Sequence, residues 1–185
     1  MTTKAVRRKP RLNHRFRFQL LHKWLTENFH PCKAADIGGG KGVLAFLLNN
    51  SGWGTTVIDP FNQLLPRTFK DLKKNRITLP LDKRSQLKII TKPFEEEMAK
   101  DFDLLIGLHS HGSNLKIINA SKKYRKSFVL LPCCVVDEPI TVIPNINWFD
   151  SLVDYAKSKG FNVQTADLNF KGQNQIIYVK SENSV

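Results

Sequence analysis

Apolar residues recur at helical spacing near the start of the chain. Phe16, Leu20, Leu21, Trp24 and Leu25 share one face of a 3.6-residue repeat, while Arg15, Lys23 and Glu27 fall on the other. Asn13 supplies a cap and Pro31 a stop, so the pattern predicts a helix from Asn13 to about Phe29. The period then changes. Lys33 to Ile37 reads as a short buried strand, a glycine-rich loop follows, and Val43 to Asn50 returns to helical composition. Thr55 to Ile58, Leu87 to Thr91, Phe102 to Leu108 and Phe128 to Leu131 read as further strands. Helices are predicted over Pro66 to Asn75, with Phe69 and Leu72 inward, over Asn114 to Tyr124, and over Ile146 to Lys159, where Trp148, Leu152, Val153 and Ala156 share a face. The end reads as a hairpin, Asn162 to Leu168 and Gln175 to Val179, turning near Lys171-Gly172-Gln173.

Strands alternating with helices imply an α/β fold. The expectation is a single Rossmann-like domain with a mostly parallel seven-stranded sheet, helices on both faces and a C-terminal antiparallel hairpin. Residues 1–12, interrupted by Pro10, read as a flexible basic arm, and residues 13–185 as the domain. The apolar fraction of 41% suits a globular chain. No apolar run approaches the ~20 residues that span a bilayer, so no membrane partner is expected. Three cysteines, Cys32, Cys133 and Cys134, two of them adjacent, do not read as a disulfide framework and point to a reducing, cytoplasmic compartment.

Charge adds a partner class. Lys and Arg total 29 against 16 Asp and Glu, a net charge of +13. Lys4, Arg7, Arg8, Lys9, Arg11, Arg15, Arg17 and Lys23 all precede Glu27, the first acid. A second block holds Arg67, Lys70, Lys73, Lys74, Arg76, Lys83 and Arg84, with Asp71 and Asp82 as its acids. Local clusters of this kind favour a polyanion through counterion release, so RNA is the expected partner of the arm and of the basic helix from Pro66.

The loop Asp36-Ile37-Gly38-Gly39-Gly40-Lys41-Gly42 lies between a strand and a helix. Such a turn lets a ligand approach the backbone closely and faces it with free helix N–H groups. Asp59 ends the next strand, where a carboxylate accepts hydrogen bonds from ribose hydroxyls. The acid before the first glycine would repel a pyrophosphate but suits a cationic amino-acid moiety. At these residues the chain resembles the class I methyltransferases, whose first motif is an acidic residue followed by x-G-x-G-x-G, and the resemblance runs from Lys33 to Lys180. It implies S-adenosyl-L-methionine as cofactor, with Asp36, Gly38, Gly40 and Gly42 beside its methionine part and Asp59 on the ribose. Phe94, after the third strand, is the candidate for packing on the adenine; Lys92 departs from the family's pattern there.

The fourth strand ends in Gly107-Leu108-His109-Ser110-His111-Gly112-Ser113-Asn114 and the fifth in Leu131-Pro132-Cys133-Cys134. These ends should meet where ligands sit in open α/β sheets. His109 or His111 would orient the acceptor or take its proton, with Asn114 beside them. Two other readings use the cysteines: a zinc site, or attack on a pyrimidine as in RNA 5-methylcytosine enzymes. Adjacent strand residues point to opposite faces, which argues against Cys133 and Cys134 sharing one metal, so no metal is expected. The cysteines then read as packing residues. Gly107-Leu108-His109 and Pro132-Cys133-Cys134 also resemble a methyltransferase-like subgroup related to eukaryotic tRNA 2′-O-methyltransferases, in which Leu-His-x-Cys-Gly is usual; here His111 replaces that cysteine. The expected activity is methyl transfer to structured RNA, tRNA or rRNA. The alternatives are a small-molecule or protein methyltransferase, and a non-catalytic module that binds RNA or a protein.

Overall fold

The computed structural model describes residues 10–139 and 147–181. A short 3₁₀ turn, His14–Phe16, leads into α1 (Arg17–Asn28), and Asn13 caps it by accepting the N–H of Arg15 at 3.1 Å. There follow β1 (Lys33–Ile37), α2 (Val43–Asn49), β2 (Gly54–Ile58), β3 (Thr68–Lys70), β4 (Arg76–Thr78), α3 (Leu81–Arg84) and β5 (Ile89–Ile90). After a second 3₁₀ segment, Glu96–Asp101, come β6 (Leu104–Leu108), α4 (Asn114–Tyr124), β7 (Ser127–Leu131), α5 (Trp148–Ser158), β8 (Gln164–Asp167) and β9 (Gln175–Val179).

Seven strands form one sheet in the order β5-β2-β1-β6-β7-β9-β8. β5, β2, β1, β6 and β7 pair in parallel, and β9 pairs antiparallel with both β7 and β8. Layers on both faces bury the central strands, so they read as unbroken apolar runs: every residue of β6 and β7 is buried. On one face Ala35, Ile37, Leu105, Phe128 and Leu130 pack against Ile117 and Ile118 of α4 and Leu152 and Ala156 of α5. On the other, Ala34, Leu104, Ile106, Val129 and Leu131 pack against Leu21 and Leu25 of α1 and Leu44 and Leu48 of α2. The strand order reverses between β1 and β6. That switch point places the end of the glycine loop beside the end of β6.

One predicted element is replaced. Pro66 to Asn75 is not a basic helix but the first half of a two-stranded ribbon, β3–β4, outside the main sheet. Thr68, Phe69, Ile77 and Thr78 are β-formers in paired register, Thr68 opposite Thr78 and Phe69 opposite Ile77. Asp71 closes the turn by accepting the backbone N–H of Asn75 at 2.8 Å and its side-chain amide at 2.9 Å, a local alternative that competes with helix. Leu72, expected inward, is exposed. Phe69 does turn inward, edge-on to Phe46 with ring centroids 6.2 Å apart.

Residues 1–9 of the expected arm, with Lys4, Arg7, Arg8 and Lys9, lie outside the described residues. Pro10 to Leu12 run along the segment that joins β8 to β9: Leu12 donates to the Asn169 carbonyl at 3.0 Å and accepts from Lys171 at 2.9 Å. No helix among the described residues is long and apolar enough to cross a membrane.

Candidate active site

The glycine loop is tied at both ends. Gly38 donates to the Ile58 carbonyl at 2.8 Å, and Gly40 donates to Asp59 Oδ2 at 2.9 Å. Asp59 Oδ1 accepts the N–H of Phe61 at 2.8 Å. Asp59 thus reaches back from the end of β2 to fix the loop. Gly40 has φ +54°, a conformation side chains rarely adopt, and a Cβ placed there would meet nothing within 4 Å. That open face is where a ligand can lie against the backbone. Gly42 serves packing instead: a Cβ there would stand 2.5 Å from Leu87 Cδ1.

Asp36, at the end of β1, is 2% exposed. The backbone of Ala45, in the first turn of α2, faces its carboxylate and favours the ionised form. Among the described residues, Oδ2 has no hydrogen-bond partner. Burial pushes the acid up to about 7, the backbone of Ala45 opposes this, and the charge of Asp59 adds to it. A buried carboxylate left half-satisfied is costly, and an arriving cation would relieve it.

Above the loop lies a cavity of about 620 Å³, the size of a small-molecule site. Asp36, Gly38, Gly40, Lys41 and Val43 form one wall, Leu108 and His109 another, and Arg15 to Gln19 and Pro66, Phe69 and Lys70 the rest. Gln19 donates to the Lys70 carbonyl at 2.6 Å, which joins α1 to the ribbon over the loop. Arg15, Arg17, Lys41 and Lys70 give the mouth a cationic rim around the buried acid. Sequence reading placed Arg15 and Arg17 in a general basic block and gave Gln19 no role. Their convergence depends on the ribbon, which the helical reading of Pro66 to Asn75 had concealed.

His109 takes φ +54°, turning the chain sharply at the end of β6. Its N–H donates to the Leu131 carbonyl at 3.0 Å, and Nε2 lies 3.3 Å from the Gln173 carbonyl. A carbonyl only accepts, so Nε2 carries the proton and Nδ1 holds the lone pair. Burial lowers the pKa, the Gln173 contact opposes this, and Arg17, His111 and His14 lower it further. These surroundings favour the neutral ring, which can accept a proton or a hydrogen bond.

The other expected site residues lie elsewhere. Among the described residues, Gly42, Asp59, Phe94, His111 and Asn114 do not line this cavity, and Asp59 touches it only through its bond to Gly40. Phe94 is 3% exposed, packed in the core with Ile37 and Ile58. Asn114 is buried, and its side-chain amide donates to Glu138 Oε1 at 2.6 Å and to the Ser110 carbonyl at 3.3 Å. Glu138, unnoticed in the sequence, also accepts the backbone N–H of Asn114 at 2.8 Å and of Leu115 at 3.2 Å, capping α4 across chain segments. His111 is exposed and stands beside both Cys133 and Cys134. The strand ends at Leu131, so the two cysteines lie in a loop and their sulfurs, 3.5 Å apart, converge. The alternation argument that would separate them does not apply beyond the strand.

No protein-family model matches the chain. A curated relative, the "Probable tRNA (uracil-O(2)-)-methyltransferase" of Caenorhabditis elegans, is 34% identical over 105 residues. That alignment covers 56% of this chain and 17% of the relative, so the chain spans less than a fifth of that protein's length. Among solved structures, the glycopeptide N-methyltransferase MtfA complexed with S-adenosyl-L-homocysteine superposes with a TM-score of 0.53 at 11% identity, over 95% of this chain and 92% of that one. An O-methyltransferase family protein from Burkholderia thailandensis gives a TM-score of 0.56 at 10% identity, over 92% of this chain and 58% of that one. The strand order, the glycine loop at the switch point and these superpositions agree: the chain has the Rossmann-like fold of the class I methyltransferases.

Proposed function

We propose that this chain is an S-adenosyl-L-methionine-dependent methyltransferase acting on structured RNA. One observation carries the cofactor reading: a buried carboxylate with an unpartnered oxygen, Asp36, faces a cavity whose floor is an open glycine turn. A ligand with a cationic amino-acid end satisfies that acid, whereas a pyrophosphate would be repelled by it. What the cofactor supplies when bound is a methyl group on a positively charged sulfur. The residues around it would bind and orient. Asp36 neutralises the cationic end, the Gly40 surface admits close approach, and Asp59, now on a loop N–H, offers acceptors for ribose hydroxyls. The rim of Arg15, Arg17, Lys41 and Lys70 meets carboxylate or phosphate charge. His109 presents Nδ1 to the acceptor as a hydrogen-bond or proton acceptor, while Asn114 acts through Glu138 to position the start of α4.

The RNA reading rests on the cationic ribbon and arm, and is supported by the tRNA substrate named for the C. elegans relative. The direct test of the cofactor site is titration calorimetry with S-adenosyl-L-homocysteine. Asp59→Ala should weaken binding by ~1.5–3 kcal/mol, since a charge-assisted acceptor is lost and the Gly40 tether goes with it. Unchanged affinity would remove Asp59 from the site, and NAD binding tighter than that of the homocysteine would overturn the cofactor assignment.

A further inference from the structure

The loop after β6 and the loop after β7 bring three soft ligand atoms together outside the cofactor cavity. His111 Nε2 lies 3.0 Å from Cys133 Sγ and 3.4 Å from Cys134 Sγ, and the two sulfurs are 3.5 Å apart. In tetrahedral zinc coordination, with Zn–S near ~2.3 Å and Zn–N near ~2.0–2.1 Å, the ligand atoms stand ~3.5–3.8 Å from one another. The triangle formed here is close to one face of that tetrahedron. Thiolate and imidazole are the donors that borderline-soft divalent ions select over carboxylate or water.

We propose that His111, Cys133 and Cys134 form a zinc site with three protein ligands and one position open to solvent. The hydrated ion releases all but one of its waters, two Zn–S bonds and one Zn–N bond form in their place, two thiol protons pass to solvent, and no electron is transferred. The exposed imidazole of His111 places the fourth position at the surface, where water completes the tetrahedron. The ion would pin the β6 loop to the β7 loop. Two protein contacts already make that join: Gly112 donates to the Val136 carbonyl at 3.2 Å, and Glu138 caps α4. Pinning this pair of loops also fixes His109, which lies on the same turn and donates its backbone N–H to the Leu131 carbonyl. The site stands independently of the methyltransferase reading, because it uses neither the cavity nor the glycine loop.

Two other uses of the cluster are chemically distinct. A disulfide between adjacent cysteines requires loss of two electrons to an oxidant, and would leave His111 without a role. A reactive thiolate would engage one sulfur and leave the convergence of the second sulfur and the imidazole unexplained.

The experiment uses the full chain purified under reducing conditions without added metal. Elemental analysis should find about one zinc per chain, released stoichiometrically when thiols are titrated with a mercurial reagent. Cobalt(II) added to the chelator-treated chain should give thiolate-to-metal charge-transfer absorption and the visible bands of a tetrahedral ion. Cys133→Ser, Cys134→Ser and His111→Ala should each weaken zinc binding by ~100-fold or more, whereas Cys32→Ser should leave it unchanged. If any of the three variants fails to fold, the cobalt spectrum of the parent chain still decides the matter. Zinc at background level together with an octahedral cobalt spectrum would overturn the proposal. So would full zinc retention in Cys133→Ser/Cys134→Ser, or a parent mass two hydrogens light.

Discussion

Asp36 is a carboxylate with almost no access to water, and its two oxygens are unequally served. An acid whose folded-state pKa stands above its unfolded value binds its proton more tightly when folded. Its contribution to stability is present below pH 4 and is lost as pH rises to about 7. Asp36→Asn should therefore melt higher than the parent at pH 8, by roughly 2–4 °C for each kcal/mol relieved, with the difference shrinking toward pH 4. Cofactor affinity should fall in the same variant, because the cationic end loses its counter-charge. Calorimetry across pH measures both, and a variant that binds normally would show that Asp36 does not meet the cofactor. His109 makes the complementary case. His109→Ala should lower turnover by ~10²-fold or more while S-adenosyl-L-homocysteine affinity stays near the parent value, since the ring contacts the acceptor side. An equal loss in both quantities would assign it to cofactor binding.

At the scale of elements, the β3–β4 ribbon and the two loops beyond β6 and β7 shape the site. Among the described residues, Glu138 supplies the side-chain cap of α4, because the Ser113 side chain makes no such bond. Glu138→Gln should lower unfolding free energy by ~1–2 kcal/mol, read from urea denaturation, and leave Asn114 with a weaker partner. No change would mean that solvent caps this helix equally well. The periodic elements were legible in the sequence because tertiary burial and local pattern agree there: α1, α2, α4, α5 and the strands β1, β2, β6 and β7 follow the alternation of apolar and polar positions. The ribbon was not. Its stretch has Phe69 and Leu72 at helical spacing, and the Asp71–Asn75 bonds that close the turn leave no periodic trace. Glu138 was invisible for a related reason: it caps a helix that begins 24 residues earlier. The convergence of Cys133 and Cys134 depends on where β7 stops, and boundaries are less legible than elements.

For the whole molecule, the net charge of +13 is concentrated in two stretches of sequence, and from them Arg15, Arg17 and Lys70 line the cavity. Leu12 is held against the segment joining β8 to β9, so the cut that removes arm charge alone falls after Lys9. Deleting residues 1–9 removes Lys4, Arg7, Arg8 and Lys9, and should flatten the slope of log RNA affinity against log salt by up to ~2.8–3.6 units while leaving thermal stability unchanged. Equal slopes in a filter-binding series would show that this segment does not touch phosphate. The destination of the methyl group is the most direct test of a methyltransferase that acts on RNA. Incubating the full chain with methyl-labelled S-adenosyl-L-methionine and, separately, total RNA, total protein and a metabolite extract should place the label in RNA, with Asp36→Asn losing most of it. Label confined to protein or to a small molecule, or no transfer to any fraction, would contradict the account.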